Sequence, residues 1–158
     1  MAQQTPSEGT EQSSQGSRSN PVPRGETVRV GDWEVRVAAF DGDAWERLRE
    51  HNRRPRPPAE GLRDVMVTLE ATYVGDSSSD PGRDFAWSVV GSGGNTFDGL
   101  GEGRMLMAGP DAFKRKGETF PGGSISGNAY FSVAEDQIDG ATFWVKTSRA
   151  ERVFFALG

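Results

Sequence analysis

Phe120-Pro121-Gly122-Gly123-Ser124-Ile125-Ser126-Gly127-Asn128-Ala129-Tyr130-Phe131-Ser132-Val133 is the stretch that decides the fold class. A Pro-Gly-Gly turn opens it. Beyond the turn, Ile125, Gly127, Ala129, Phe131 and Val133 fall on one face, and Ser124, Ser126, Asn128, Tyr130 and Ser132 on the other. A period of two sustained this long predicts a half-buried β-strand and not a helix. Clean alternation belongs to antiparallel sheets with one wet face, since buried parallel strands read as continuous apolar runs. A single strand of this kind needs a second sheet to cover its apolar face.

The flanking sequence supplies that sheet. Val65, Val67, Leu69, Ala71 and Tyr73 alternate with polar residues over 62–74, the longest strand. Upstream, Val28 and Val30 lead through a Gly31-Asp32 turn into Trp33, Val35, Val37 and Ala39. Phe85, Trp87 and Val89 alternate before a Gly-rich turn, and Thr96-Phe97-Asp98 adds a short piece. Ala141, Phe143, Val145 and Thr147 form another strand, and Val153, Phe155 and Leu157 the last. Seven or eight short strands with this turn spacing predict an all-β chain folded as an antiparallel sandwich over residues 26–158. One interruption is helical. Asp43-Ala44-Trp45-Glu46 is a capping-box pattern that predicts an insertion over about 43–52, pinned by Trp45 and Leu48 and ended by the Pro-rich 54–58. Residues 99–122 carry Gly-rich punctuation and Lys114-Arg115-Lys116 without a strand pattern, as a functional or looser segment does.

Composition sets the outer bounds. The chain has 158 residues, a net charge of −5 and no cysteine, which excludes a disulfide framework, a thiol nucleophile and Cys-ligated metal. The acidic balance gives no reason to expect nucleic acid as a partner. Residues 1–25 are rich in Gln, Ser and Gly and hold only Met1 and Val22 as large aliphatic residues, so they are expected to be a disordered tail or linker. They contain no apolar run, and membrane association is therefore expected only through a lipid anchor outside this sequence.

Four local patterns carry a family resemblance. They are Val30-Gly31-Asp32-Trp33-Glu34-Val35-Arg36-Val37; Trp45, Asn52 and Pro57-Pro58 followed by the long strand to Tyr73; Val90-Gly91-Ser92-Gly93-Gly94-Asn95-Thr96-Phe97-Asp98; and Pro121-Gly122-Gly123 through Phe131. In this order they resemble a family of secreted and lipid-anchored bacterial domains of unknown function, common in actinobacteria and other Gram-positive bacteria. That family has an immunoglobulin-like (telokin-like) β-sandwich, and the mycobacterial immunoprotective extracellular protein is similar to it in fold. The resemblance implies an extracytoplasmic or cell-surface location and a non-enzymatic role. It implies no ligand. The basic His51-Asn52-Arg53-Arg54 departs from the family's more neutral pattern.

Candidate chemistry is sparse. His51 is the only histidine, stands among arginines that disfavour its protonation, and has no Gly-x-Ser-x-Gly elbow to serve. Zinc lacks ligands, so no cofactor or metal site is assigned. The acidic loops, Asp41 with Asp43 and Asp76 with Asp80 and Asp84, keep a small-ligand or calcium-binding sandwich as the alternative function. The charge feature above background lies in residues 47–63, where six arginines face two glutamates. Arg47, Arg49, Arg53, Arg54 and Arg56 read either as a contact face for a protein or an anionic cell-wall component, or as a solvated insertion whose stems cover the sandwich edge. Tyr130 and Trp144 fall on the polar faces of their strands, and on neighbouring strands they would form an outer-face pair.

Overall fold

In the computed structural model, residues 15–51, 57–100 and 109–158 are described. Among them, eight strands and two short helices follow one another: β1 (Thr27–Val30), β2 (Trp33–Asp41), α1 (Trp45–His51), β3 (Leu62–Tyr73), α2 (Pro81–Asp84), β4 (Ala86–Val90), β5 (Thr96–Phe97), β6 (Ser124–Ala134), β7 (Thr142–Lys146) and β8 (Val153–Ala156). They build two antiparallel sheets, β1-β2-β3-β6 and β5-β4-β7-β8, packed as a β-sandwich. The alternation over 124–133 becomes β6, paired to β3 from Thr72↔Ser124 to Leu62↔Ala134.

The inward faces are those the period of two predicts. Trp33, Val35 and Val37 of β2, Val65 to Tyr73 at alternate positions of β3, and Ala129, Phe131 and Val133 of β6 meet Val89, Phe143, Val145, Phe155 and Leu157 from the other sheet. A bulge between Val37 and Ala39 resets the register, which brings Phe40 opposite Val67 and back against the core. Rings run through the interlayer space in series. Trp33 touches Tyr73 and Phe85 at 5.2 Å each, Phe85 reaches Phe113 at 5.0 Å, and Trp87 joins Phe113 at 5.7 Å to Phe143 at 5.9 Å. Edge and tilted contacts of this kind add about 0.5–1.5 kcal/mol per pair to the area they bury.

Phe113 comes from the segment that shows no strand pattern. It lies on a 3-10 turn, Phe113–Arg115, and is fully buried. It reaches the core because Gly127 on β6 has no side chain. A Cβ there would stand 2.6 Å from the Phe113 Cα and 2.8 Å from its N. The close approach is secured by the Ala112↔Asn128 bridge and by Asn128 N–H donating to the Asp111 carbonyl at 2.8 Å.

Two expectations change. The fold begins upstream of Glu26, because residues 15–25 are not a free tail. Val22 is 1% exposed and sits in the core cluster. It bridges Phe155 in parallel, with Val22 N–H donating to the Phe154 carbonyl (2.9 Å) and Ala156 N–H to the Val22 carbonyl (2.8 Å). Phe154 N–H donates in turn to the Gly16 carbonyl at 2.6 Å. Residues 16–22 are thus a strap closing the open edge of β8, which an unpaired edge strand requires. Residues 1–14 of the expected tail lie outside the described residues. The helical insertion is present, but the carboxylate anchoring it is Asp41 and not the expected cap Asp43. Asp41 accepts from the Asp43 N–H and from Arg47 Nε, both at 3.0 Å.

Phe113→Ala should lower the unfolding free energy by about 3–5 kcal/mol, as emptying a buried aromatic site does. Gly127→Ala should cost about 1–3 kcal/mol by overpacking. Val22→Ala should cost about 2 kcal/mol. Urea unfolding curves measure all three, and a neutral Val22→Ala would show that the strap is not part of the cooperative core.

Candidate functional site

The outer faces of the two sheets are treated differently, and this decides which of the expected site residues are available. Over the β3–β6 sheet, α1 and flanking loops form a third layer. Ala44, Leu48, Met66, Leu100 and Tyr130 make a second small core there, with Trp45 against it. Tyr130 is consequently 7% exposed, which corrects its placement on a solvated face. Its hydroxyl donates to the Pro110 carbonyl at 2.8 Å, and Asn128 Nδ2 donates to the same carbonyl at 3.2 Å. Gly109, in the left-handed region at φ 74°, carries the chain over the phenol ring, where any Cβ would collide with it. Burial pushes the Tyr130 phenol above its usual value, partly opposed by the Asn128 hydrogen bond and by Arg47. Trp144 lies on β7 in the opposite sheet, so the expected Tyr130–Trp144 pair does not form.

The arginines of the insertion divide. Arg47 pairs with Asp41 at 3.0 Å and Arg49 with Glu46 at 2.9 Å. Both are exposed pairs that contribute little to stability, yet each sets an acid beside its arginine. Arg53, Arg54 and Arg56 lie outside the described residues. Of the second basic run, Lys116 pairs with Asp111 and Lys114 stands over the Trp87 ring at 4.8 Å.

At one end of the sandwich, Asp32, Asp76, Asp80, Asp84 and Glu118 line a cleft of about 590 Å³ together with residues 77–79, Arg83 and Arg149. Asp84, half-buried, is committed to structure. It accepts from Trp33 Nε1 (2.9 Å), Ser79 Oγ (2.8 Å), the Ser148 N–H (2.8 Å) and Ser148 Oγ. Burial alone would raise its pKa, but these donors outweigh it, Ser148 first, and hold the carboxyl below its ordinary 3.8. Asp80 caps α2 by accepting from the Gly82 N–H at 2.8 Å. Among the described residues no three His, Asp or Glu side chains converge as metal ligands, so the calcium alternative finds no assembled site there.

The second candidate is on the outer face of β7 and β8. Trp144 and Phe154 are directly opposite each other across these strands. The Arg152 guanidinium lies over both rings, 5.5 Å from each centroid. Arg18 on the strap, Lys146, Glu151 and Arg152 surround the pair in a cleft of about 600 Å³. Among the described residues no carboxylate pairs with Arg18, Lys146 or Arg152. Trp144 is thus half-buried beneath Arg152, on a face where cations gather that sequence spacing could not assemble, while Arg47 and Arg49 are exposed in their pairs.

No protein-family model matches the chain, and no curated protein matches it in sequence. Solved structures match it in fold. They include MPT63, a secreted protein from Mycobacterium tuberculosis (12% identity, 87% of this chain and 98% of that one, TM-score 0.54). The yjhA protein of Bacillus subtilis matches at 12% identity over 87% of this chain and 99% of that one, with a TM-score of 0.53. An uncharacterized β-sandwich protein from Clostridium difficile matches at 8% identity over 88% and 95%, with a TM-score of 0.51. The fold is therefore that of a two-sheet β-sandwich, also found in these bacterial proteins. A mycobacterial secreted protein of similar fold is what the sequence patterns lead one to expect.

Asp84→Asn should lower the melting temperature most above about pH 5, because a lowered folded pKa contributes stability above the unfolded value and loses it as pH falls. The gap between variant and parent should begin to narrow as the pH falls past 3.8, the unfolded value, and close only below the lowered folded value, where the native carboxyl protonates. Melts from pH 2 to 8 measure this, and a constant gap would place the Asp84 effect in packing.

Proposed function

We propose that this protein is a non-catalytic, extracytoplasmic, immunoglobulin-like module that works by contact with a protein or a cell-wall component. The observation that carries this is the outer face of β7 and β8, where Arg152 covers the half-buried Trp144 and the buried Phe154, and where Arg18, Lys146 and Arg152 have no carboxylate partner among the described residues. A two-layer sandwich places polar residues on its outer faces, and cations gathered there without acids suit an anionic contact. The groups with displaced ionisation support the non-catalytic reading. Asp84 is spent on four hydrogen bonds and Tyr130 on a carbonyl. The likeness in fold to a protein described as secreted supports the compartment. A lipid anchor outside the sequence is the expected means of tethering.

Co-sedimentation with isolated Gram-positive cell walls, and with walls stripped of protein, tests the reading. Retention that falls as salt rises from 50 to 500 mM is expected for cationic contacts, because exposed charges are screened beyond about 8 Å at physiological ionic strength. Failure to sediment with either preparation, together with recovery of the protein from the cytoplasmic fraction of its host, would remove it.

A further inference from the structure

The free side of β8 is closed by residues 16–22 of the same chain, and few bonds close it. The Phe154 N–H donates to the Gly16 carbonyl (2.6 Å), the Phe154 carbonyl accepts from the Val22 N–H (2.9 Å), and the Ala156 N–H donates to the Val22 carbonyl (2.8 Å). The strap runs parallel to β8 at its Val22↔Phe155 bridge. Parallel pairing is slightly weaker per residue than antiparallel. Val22 is the strap's member of the core cluster.

The outer side of the strap is built to end the sheet. Val22 turns both its N–H and its carbonyl toward β8. The backbone groups of its neighbours Pro21 and Pro23 therefore point the other way. Neither proline has an N–H to offer there. The Pro23 carbonyl is already taken by the Glu26 N–H at 3.1 Å. Prolines on an edge stop the addition of another strand. The β8 edge beneath the strap has the opposite character. Val153–Ala156 reads Val-Phe-Phe-Ala, with no charge, proline or glycine, which is the composition that pairs readily once an edge is open.

We infer that β8 is a self-association edge: a second copy of this chain adds its own β8 antiparallel, and the strap is the intrachain segment that excludes it. The occupant is a second copy because β8 is self-complementary. About a two-fold axis at Phe155, Phe154 of each copy stands opposite Ala156 of the other, so the donors that the strap releases meet carbonyls across the axis. The same register sets Arg152 opposite Gly158, and no like charges face each other. Two four-stranded sheets then join edge to edge. The inference is independent of the contact reading above, since it uses the edge of this sheet and not its outer face.

The test is sedimentation velocity on the full chain and its variants from about 1 to about 200 µM, since association follows protomer concentration. Val22→Asp puts a charge into the core cluster and expels the strap. Gly16→Val leaves the core as it is and lifts the strap's far end. A valine fits neither the φ of 98° there nor the space beside Val153, whose Cγ1 would stand 3.0 Å from the new Cβ. Both variants should dimerise at least about tenfold more tightly than the parent. A peptide of residues 15–24 added in excess should return the Val22→Asp chain to monomer. Ala156→Pro, added to either variant, should abolish the dimer, because it removes an N–H that faces the edge and not β7. Gly16→Val decides the matter where Val22→Asp unfolds the chain, which near-ultraviolet circular dichroism reports. Folded variants that stay monomeric overturn the inference, and so does association indifferent to Ala156→Pro.

Discussion

Trp33 has to be buried on every side and still find a partner for its indole N–H. It is fully buried at the start of β2, between Tyr73 of its own sheet and Phe85 of the linker to the other. The donor is met by Asp84, which also holds Ser79 and the β7–β8 turn through Ser148. One polar contact thus ties both sheets to the loop between them. The sheets share no ladder, so their alignment depends on this tie and on the rings that continue from it to Phe113, Trp87 and Phe143. Removing an acceptor here would leave a buried donor unmet, which costs more than the bond contributes.

The same economy explains the two outer faces. Over β3 and β6 the chain adds a layer of its own, α1 and residues 109–113, and buries Met66 and Tyr130 beneath it. Over β7 and β8 it adds a strap along the edge and a single arginine across the face. Aromatic side chains appear on both faces. On one they are covered by backbone and apolar side chains, and on the other by the Arg152 guanidinium. The fold is shared with secreted and uncharacterized bacterial β-sandwiches at about one residue in ten. At that distance the architecture persists while the surface is particular to each chain.

Much of this was legible in the sequence, and the failures have physical causes. Alternation in 124–133 reports which side chains share a face, and β6 obeys it throughout. Alternation does not report whether the polar face is covered, so Tyr130 reads as exposed until α1 and Pro110 are laid over it. Val22 and Phe113 are single apolar residues in polar surroundings, without periodic neighbours, and no local pattern marks them as core. The signal for Phe113 lay elsewhere, in Gly127, a small residue at an inward position that needed a partner. Clustering in sequence does not report which charges are paired. Arg47 and Arg49 have acids within six residues, whereas Arg18, Lys146 and Arg152 line one cleft with no carboxylate paired to them among the described residues. Trp144 was read correctly as out of phase with the core, but its neighbours could be known only from the β7–β8 register.

The strap has a mechanical consequence. Pulling on the chain at residue 15 loads the bonds from Gly16 and Val22 to β8 before it loads anything in β1 or β2. These few bonds lie along a short parallel contact and are backed by one buried valine. Tension arriving from the N-terminal side is therefore spent first on peeling residues 16–22 away from Phe154 and Ala156. That frees the edge of β8 and carries Arg18 off the outer face while the two sheets stay intact. A module tethered from this end would yield in a small, reversible step at the strap, and its exposed edge and outer face would change before its core did.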